Sequence, residues 1–151
     1  MRGRRRQGDS FRRFGDRQSL FLALLDEHER ELQEALLRGP PPLGPGAPPR
    51  ERLGAFVDAL LDLSLEHADL LLASETARPH ARLRTGAYAA WHQHVALLAG
   101  ELRPDSSAAL IAHLLLAGFD AELLTFLQTQ QTSARRLREA LRDLTDRLVR
   151  P

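Results

Sequence analysis

The chain has 151 residues, enough for one domain with a sizeable core, and its 21 basic residues against 20 acids leave a net charge of only +1. It contains no cysteine, which excludes disulfides and thiolate metal centres, and no lysine, so its basicity is entirely arginine. With abundant Ala, Leu, Gly and Pro, that usage follows GC-rich coding rather than nucleic-acid affinity. The charge is unevenly spread: residues 1–17 hold seven arginines against Asp9 and Asp16, a net +5, and the rest is mildly acidic at −4.

Residues 1–9 are polar and read as a disordered arm. Phe11 and Phe14 are one helical step apart, Gly15 can end a short helix in a left-handed conformation, and Asp16 can cap the next. A long helix is then expected from Asp16 to Leu37, with Leu20, Leu24, His28 or Leu25, Leu32 and Leu36 on its core face. Gly39 and six prolines make residues 39–49 a non-helical, extended loop that spaces two helices.

A second helix starts near Pro49 and buries Leu53, Phe56, Val57, Leu60, Leu61 and Ser64. It breaks near Glu66–Asp69, where a short buried helix over Leu70–Ala73 follows and Pro79 closes the segment. The next helix spans about 82–101, with a seam of Tyr88, Trp91, Val95, Leu98 and Leu102. From 105 to 130 one helix is expected that is apolar on nearly every side, which implies burial on two fronts. A last helix, 133–149, carries a single seam of Leu137, Leu141, Leu144 and Leu148. No strand pattern and no internal repeat occur, so the fold class is all-α, a bundle of about six helices.

The segment Phe11-Arg12-Arg13-Phe14-Gly15-Asp16-Arg17-Gln18-Ser19-Leu20 resembles the end of the recognition helix in TetR-family transcription regulators. There a motif of the form Tyr-x-His/Tyr-Phe-Gly-Ser/Asp-Lys-x-x-Leu runs into a long connecting helix. Phe11 falls on the Tyr, Arg13 on the His/Tyr, Arg17 on the Lys and Leu20 on the Leu, and Phe11 lacks the hydroxyl that would bond a phosphate. The family places two helices and most of a third before this motif, and ten residues precede it here. The resemblance therefore implies a division into residues 1–15, a basic arm with a remnant of the recognition helix, and residues 16–151, a ligand-binding and dimerisation domain. A late start codon that cuts into the helix-turn-helix is the reading preferred over a phosphate-binding arm.

Within that frame Phe11, Arg13 and Arg17 are the remnant DNA contacts, Arg17 reaching a phosphate from a helix N-terminus. Specific DNA binding by this chain alone is not expected, because base readout comes from the N-terminal part of a recognition helix. Size and face select Phe56, Leu60, Leu63, Tyr88, Trp91, His94, Phe119 and Phe126 as the lining of a pocket for a small apolar effector, with His94 or Glu75 as polar anchor. Leu110, Leu114, Leu137, Leu141, Leu144 and Leu148 are expected to form a four-helix homodimer interface.

The remaining polar residues are weaker signals. His92 and His94 point roughly 200° apart on a helix and cannot chelate together. Glu66, His67, Asp69 and Glu75 have no regular metal-ligand spacing and read as a solvated helix end, so no metal and no cofactor is expected. Glu122 faces solvent, pairs with Arg82 or Arg84, or lines the pocket. No nucleophile elbow or phosphate-binding glycine loop is present, which argues against an enzyme. The longest uncharged apolar run falls short of the ~18 residues of a membrane span, and the arm lacks a leader's apolar stretch, so a cytoplasmic regulator without a membrane partner is expected. The alternative is a helical dimerisation module that binds neither DNA nor ligand and modulates a full-length relative.

Overall fold

The computed structural model describes the backbone of residues 5–151 and the side chains of residues 12, 13 and 15–151. Every regular element among the described residues is helical. In chain order these are α1 (Arg5–Arg38), α2 (Pro49–Glu66), α3 (Ala68–Glu75), a 3₁₀ turn (Arg82–Arg84), α4 (Gly86–Leu102), α5 (Ala108–Ala117), α6 (Ala121–Thr129) and α7 (Ala134–Leu148).

Helices α2 and α4 form the centre. Helix α1 lies on both, α5 packs along α4, α7 packs on α2 and α5, and α3 pairs with α6. The core follows the apolar stripes read from the sequence: Leu53, Phe56, Val57, Leu60 and Leu61 of α2, and Trp91, Val95 and Leu98 of α4, are all buried. Three helix starts are set by hydroxyl caps. Thr85 accepts from the Tyr88 amide (3.1 Å), Ser107 from that of Leu110 (3.4 Å) and Ser133 from that of Arg136 (3.2 Å).

Three expectations are corrected. The turn at Gly15 does not form: α1 runs through Gly15, starting at Arg5 inside the arm read as disordered. A single glycine costs a helix only about 1 kcal/mol, and the Arg and Gln residues around it are good helix formers. The apolar helix expected over 105–130 is two helices. Its break lies at Gly118–Asp120, where the Asp120 carboxylate accepts from the Leu123 amide at 3.0 Å and so starts α6. By composition the stretch Ala108–Thr129 is apolar enough to cross a membrane, but it is divided by this break and carries Asp120 and Glu122. Finally, α3 has no buried residue; Leu70 and Leu71 only pack partly against the core.

The spacer at 39–49 is a tight wrap rather than an extended strap. The Gly44 amide donates to the Pro40 carbonyl at 3.0 Å, and a Cβ on Gly44 would fall 1.8 Å from the Gly39 oxygen. Only glycine fits there.

Candidate effector cavity

Helix α1 is docked by its C-terminal half alone. Leu25, Leu32 and Leu36 are buried, whereas Leu20 is 67% exposed and Leu24 40%. The expected core face therefore holds only from Leu25 onward. Between this half of α1 and the body lies a cavity of about 520 Å³, a size that suits a small molecule. Leu22, Leu25, Asp26, Glu29, Arg30 and Gln33 wall it on α1. The opposite walls are Leu60, Leu63 and Ser64 of α2, Leu71, Ser74 and Glu75 of α3, and Tyr88 and Trp91 of α4, with Arg82, Thr85 and Phe119 closing one end.

Five of the eight side chains selected from sequence line this space: Leu60, Leu63, Tyr88, Trp91 and Phe119. The other three do not. Phe56 is fully buried between Trp91 and His94, with ring centroids 5.9 and 5.2 Å away, and fills the core. His94 lies on that inner side, and its Nε2 is buried without a hydrogen-bond partner. Burial, with the Arg52 charge adding to it, pushes its pKa down to about 4. Phe126 is 58% exposed on α6, because the break at Gly118–Asp120 reorients that helix.

The lining is more polar than expected. Arg82 holds Glu75 at 3.3 Å, donates to the Leu116 carbonyl at 2.7 Å and stands 4.9 Å over the Tyr88 ring. Glu75 also accepts from the Ala121 amide at 2.8 Å; burial pushes its pKa up, against the lowering by that amide and by Arg82. Arg82 is thus committed to Glu75 and not to Glu122, which is exposed. Glu29 has no ion-pair partner among the described residues. Burial, with the negative charges of Asp26 and Glu75, pushes its pKa up to about 7. Sequence inspection missed Asp26, Glu29 and Arg30, which sit on the polar side of α1 and carry no local signature.

The other expected sites are distributed as follows. Arg13 and Arg17 are exposed, one turn apart on α1. Arg17 lies well inside the helix rather than at its N-terminus, so no free amides stand beside it. The Phe11 side chain lies outside the described residues. Leu137 and Leu141 of α7 are buried against this chain's own core, and Leu148 is half-buried, so that seam is occupied within the subunit. Leu110 and Leu114 of α5 are each 62% exposed, and Leu144 is exposed too. His92 and His94 do diverge: His92 meets the Ala109 carbonyl at 3.0 Å and the His113 ring at 4.1 Å, on the α5 side. His67 is buried, not part of a solvated helix end, and its Nε2 lies 2.8 Å from His28 Nδ1 on α1. No protein-family model, curated protein or solved structure matches the chain.

Proposed function

We propose that the chain is a ligand-sensing helical domain of regulator type, as its resemblance to the TetR family implies, in which α1 reports occupancy of the cavity beneath it. The observation that carries this reading is the cavity itself. One wall is the half of a long helix that continues, exposed, beyond the body. A ligand that prefers one position of α1 shifts its equilibrium by its differential affinity for the two positions. The mixed lining narrows the effector. Trp91, Phe119 and the leucines accept an apolar ring body, and the unpaired Glu29 accepts a hydrogen from an amine or amidine, so the effector is amphipathic rather than purely apolar.

Trp91 is the only tryptophan and lines the cavity, which makes its fluorescence the readout. A planar aromatic amine is expected to quench it saturably and raise the melting temperature. Glu29→Gln weakens the amine about tenfold and leaves its neutral isostere unchanged. An amine that binds equally well to Glu29→Gln, or a panel of aromatic amines and neutral isosteres that leaves Trp91 unquenched, overturns the assignment. Operator-specific DNA binding is not part of this function.

The second reading, a dimerisation module without a ligand, is favoured by one observation: Leu97 on α4 and Leu110 and Leu114 on α5 are large apolar side chains exposed on two helices that pack together. In either reading the homodimer is proposed to use these residues and not the α7 seam. Leu114→Glu is expected to give a monomer by light scattering where the unmodified chain gives a dimer.

A further inference from the structure

One cluster in the molecule has no role in the cavity. His28 points from α1 toward the junction of α2 and α3, where Glu66 is the last residue of α2 and His67 the link to α3. His28 Nδ1 lies 2.8 Å from His67 Nε2 and 3.9 Å from Glu66 Oε1, and the three ligand atoms lie within 4.8 Å of one another. We propose that His28, Glu66 and His67 bind a divalent transition cation of the zinc class, which clamps α1 to the α2–α3 junction.

The donor set suits that chemistry. Two imidazole nitrogens and one carboxylate oxygen are ligands for zinc, cobalt, nickel or copper, and three protein ligands leave a position for water. Metal–nitrogen bonds of ~2.0–2.1 Å in tetrahedral geometry place two ligand nitrogens about 3.3 Å apart. The imidazoles need to separate by only about half an ångström, which side-chain rotation supplies. Both bring one nitrogen to the same point, and as a hydrogen-bonded pair they use only one lone pair there. A cation accepts both.

The electrostatic surroundings favour a positive ion. The cluster stands between the C-terminal end of α2 and the N-terminal end of α3, whose opposite partial charges offset, so the Glu66 carboxylate supplies the negative charge of the site. In a chain with 21 arginines, none pairs with Glu66 among the described residues. The ligands differ in accessibility in a useful way. His67 is 6% exposed and fixed, whereas the side chains of His28 and Glu66 are 28% and 60% exposed, so an ion can enter from solvent.

The site also has a structural consequence. Leu25 and Glu29, on either side of His28, line the cavity, as do Leu63 and Ser64 before Glu66. A bound ion therefore closes the rim of the cavity at one point and joins two segments 39 residues apart. Metal binding of this kind adds to stability, because the unfolded chain offers no such site.

The test uses the full chain, stripped with a chelator and titrated with zinc, and with cobalt as a chromophoric probe. One zinc per chain is expected, and a hundredfold excess over its Kd raises the melting temperature by roughly 5–10 °C. Cobalt should give the intense visible bands of a four- or five-coordinate nitrogen–oxygen site. His28→Gln and Glu66→Gln are partly exposed substitutions whose metal-free melting checks folding. Each should weaken zinc at least about tenfold, and His28→Gln should abolish the cobalt bands. His113→Gln, which alters the separate His92–His113 pair, should change neither. No zinc-dependent stabilisation of the unmodified chain, or zinc affinity unaffected by His28→Gln but lost in His113→Gln, overturns the site.

Discussion

Helices α1 and α7 both carry arginines on an outer face and leucines on an inner one, and both lie on α2, yet they are held in opposite ways. Helix α7 is pinned. Leu137, Leu141 and Thr145 are buried, and its arginines reach back to the acids of α2, Arg142 chelating Asp58 and Arg138 bridging Asp58 and Asp62, while Arg50 of α2 donates to Asp146 of α7 at 3.0 Å. Arg142 hydrogen bonding holds the Asp58 carboxyl below its usual range. Helix α1 covers a gap, and among the described residues Asp26 and Glu29 have no arginine partner. Helix α7 has its charges matched across to α2, whereas under α1 the Glu29 carboxyl stays unmatched and its pKa is pushed up by burial.

The largest test of this contrast is a pair of truncations. Leu141→Ala removes side-chain volume from a buried position that lines neither the cavity beneath α1 nor the groove between α2 and α7, and is expected to cost about 3 kcal/mol, a transfer term plus a new void. Leu25→Ala, although Leu25 is only 5% exposed, opens into a space that already exists and should cost about 2 kcal/mol or less. Urea unfolding of both variants decides it, and equal costs would mean that Leu25 is as closely packed as Leu141.

Next in size is Glu29→Gln. Because the folded-state pKa is raised from 4.5 to about 7, protonated Glu29 favours the fold. That stability is fully present below pH ~4.5 and is lost as pH rises through about 7. Partial exposure screens the effect, so the substitution should stabilise the protein by about 1 kcal/mol above pH 7 and flatten this part of the stability profile. Thermal melts between pH 4 and 8 measure it.

His94 acts in the other direction. Its folded pKa is depressed to about 4 from 6.5, so its neutral form supports the fold above pH ~6.5 and that support is lost as pH falls through about 4. His94→Phe, which keeps a ring against Phe56, should remove that acid sensitivity in the same melts. The smallest effect is expected at Asp58→Asn, about 0.5 kcal/mol at neutral pH by urea unfolding, since its arginine partners are partly exposed.

How far the sequence revealed this molecule depends on how local each signal is. The α2 stripe and the non-helical character of the proline-rich spacer are encoded within a few residues and appear as read. The α5–α6 break was legible in principle: glycine followed by an aspartate cap and Glu122 in the first turn is a start signal, obscured by the leucines on both sides. At Gly15 local rules misled, because a glycine permits a turn without requiring one. The five selected residues that line the cavity are large side chains on inward faces. Glu29 and the His28–His67 contact have no local pattern, since what defines them is a helix crossing between distant segments.

The exposed first half of α1 carries a mechanical consequence. All described side chains from 12 to 24 are exposed, and the helix extends from Arg5 to Leu25, the first buried residue among those described. At 1.5 Å per residue that span is a rod of about 30 Å with its fulcrum at the cavity wall. Rotation of the docked segment by about 5° sweeps the far end through roughly 2.5 Å, several times the movement at Leu25 itself. Small adjustments around Glu29 or His28 therefore appear amplified at the distal tip, which makes the tip the place to attach a distance probe.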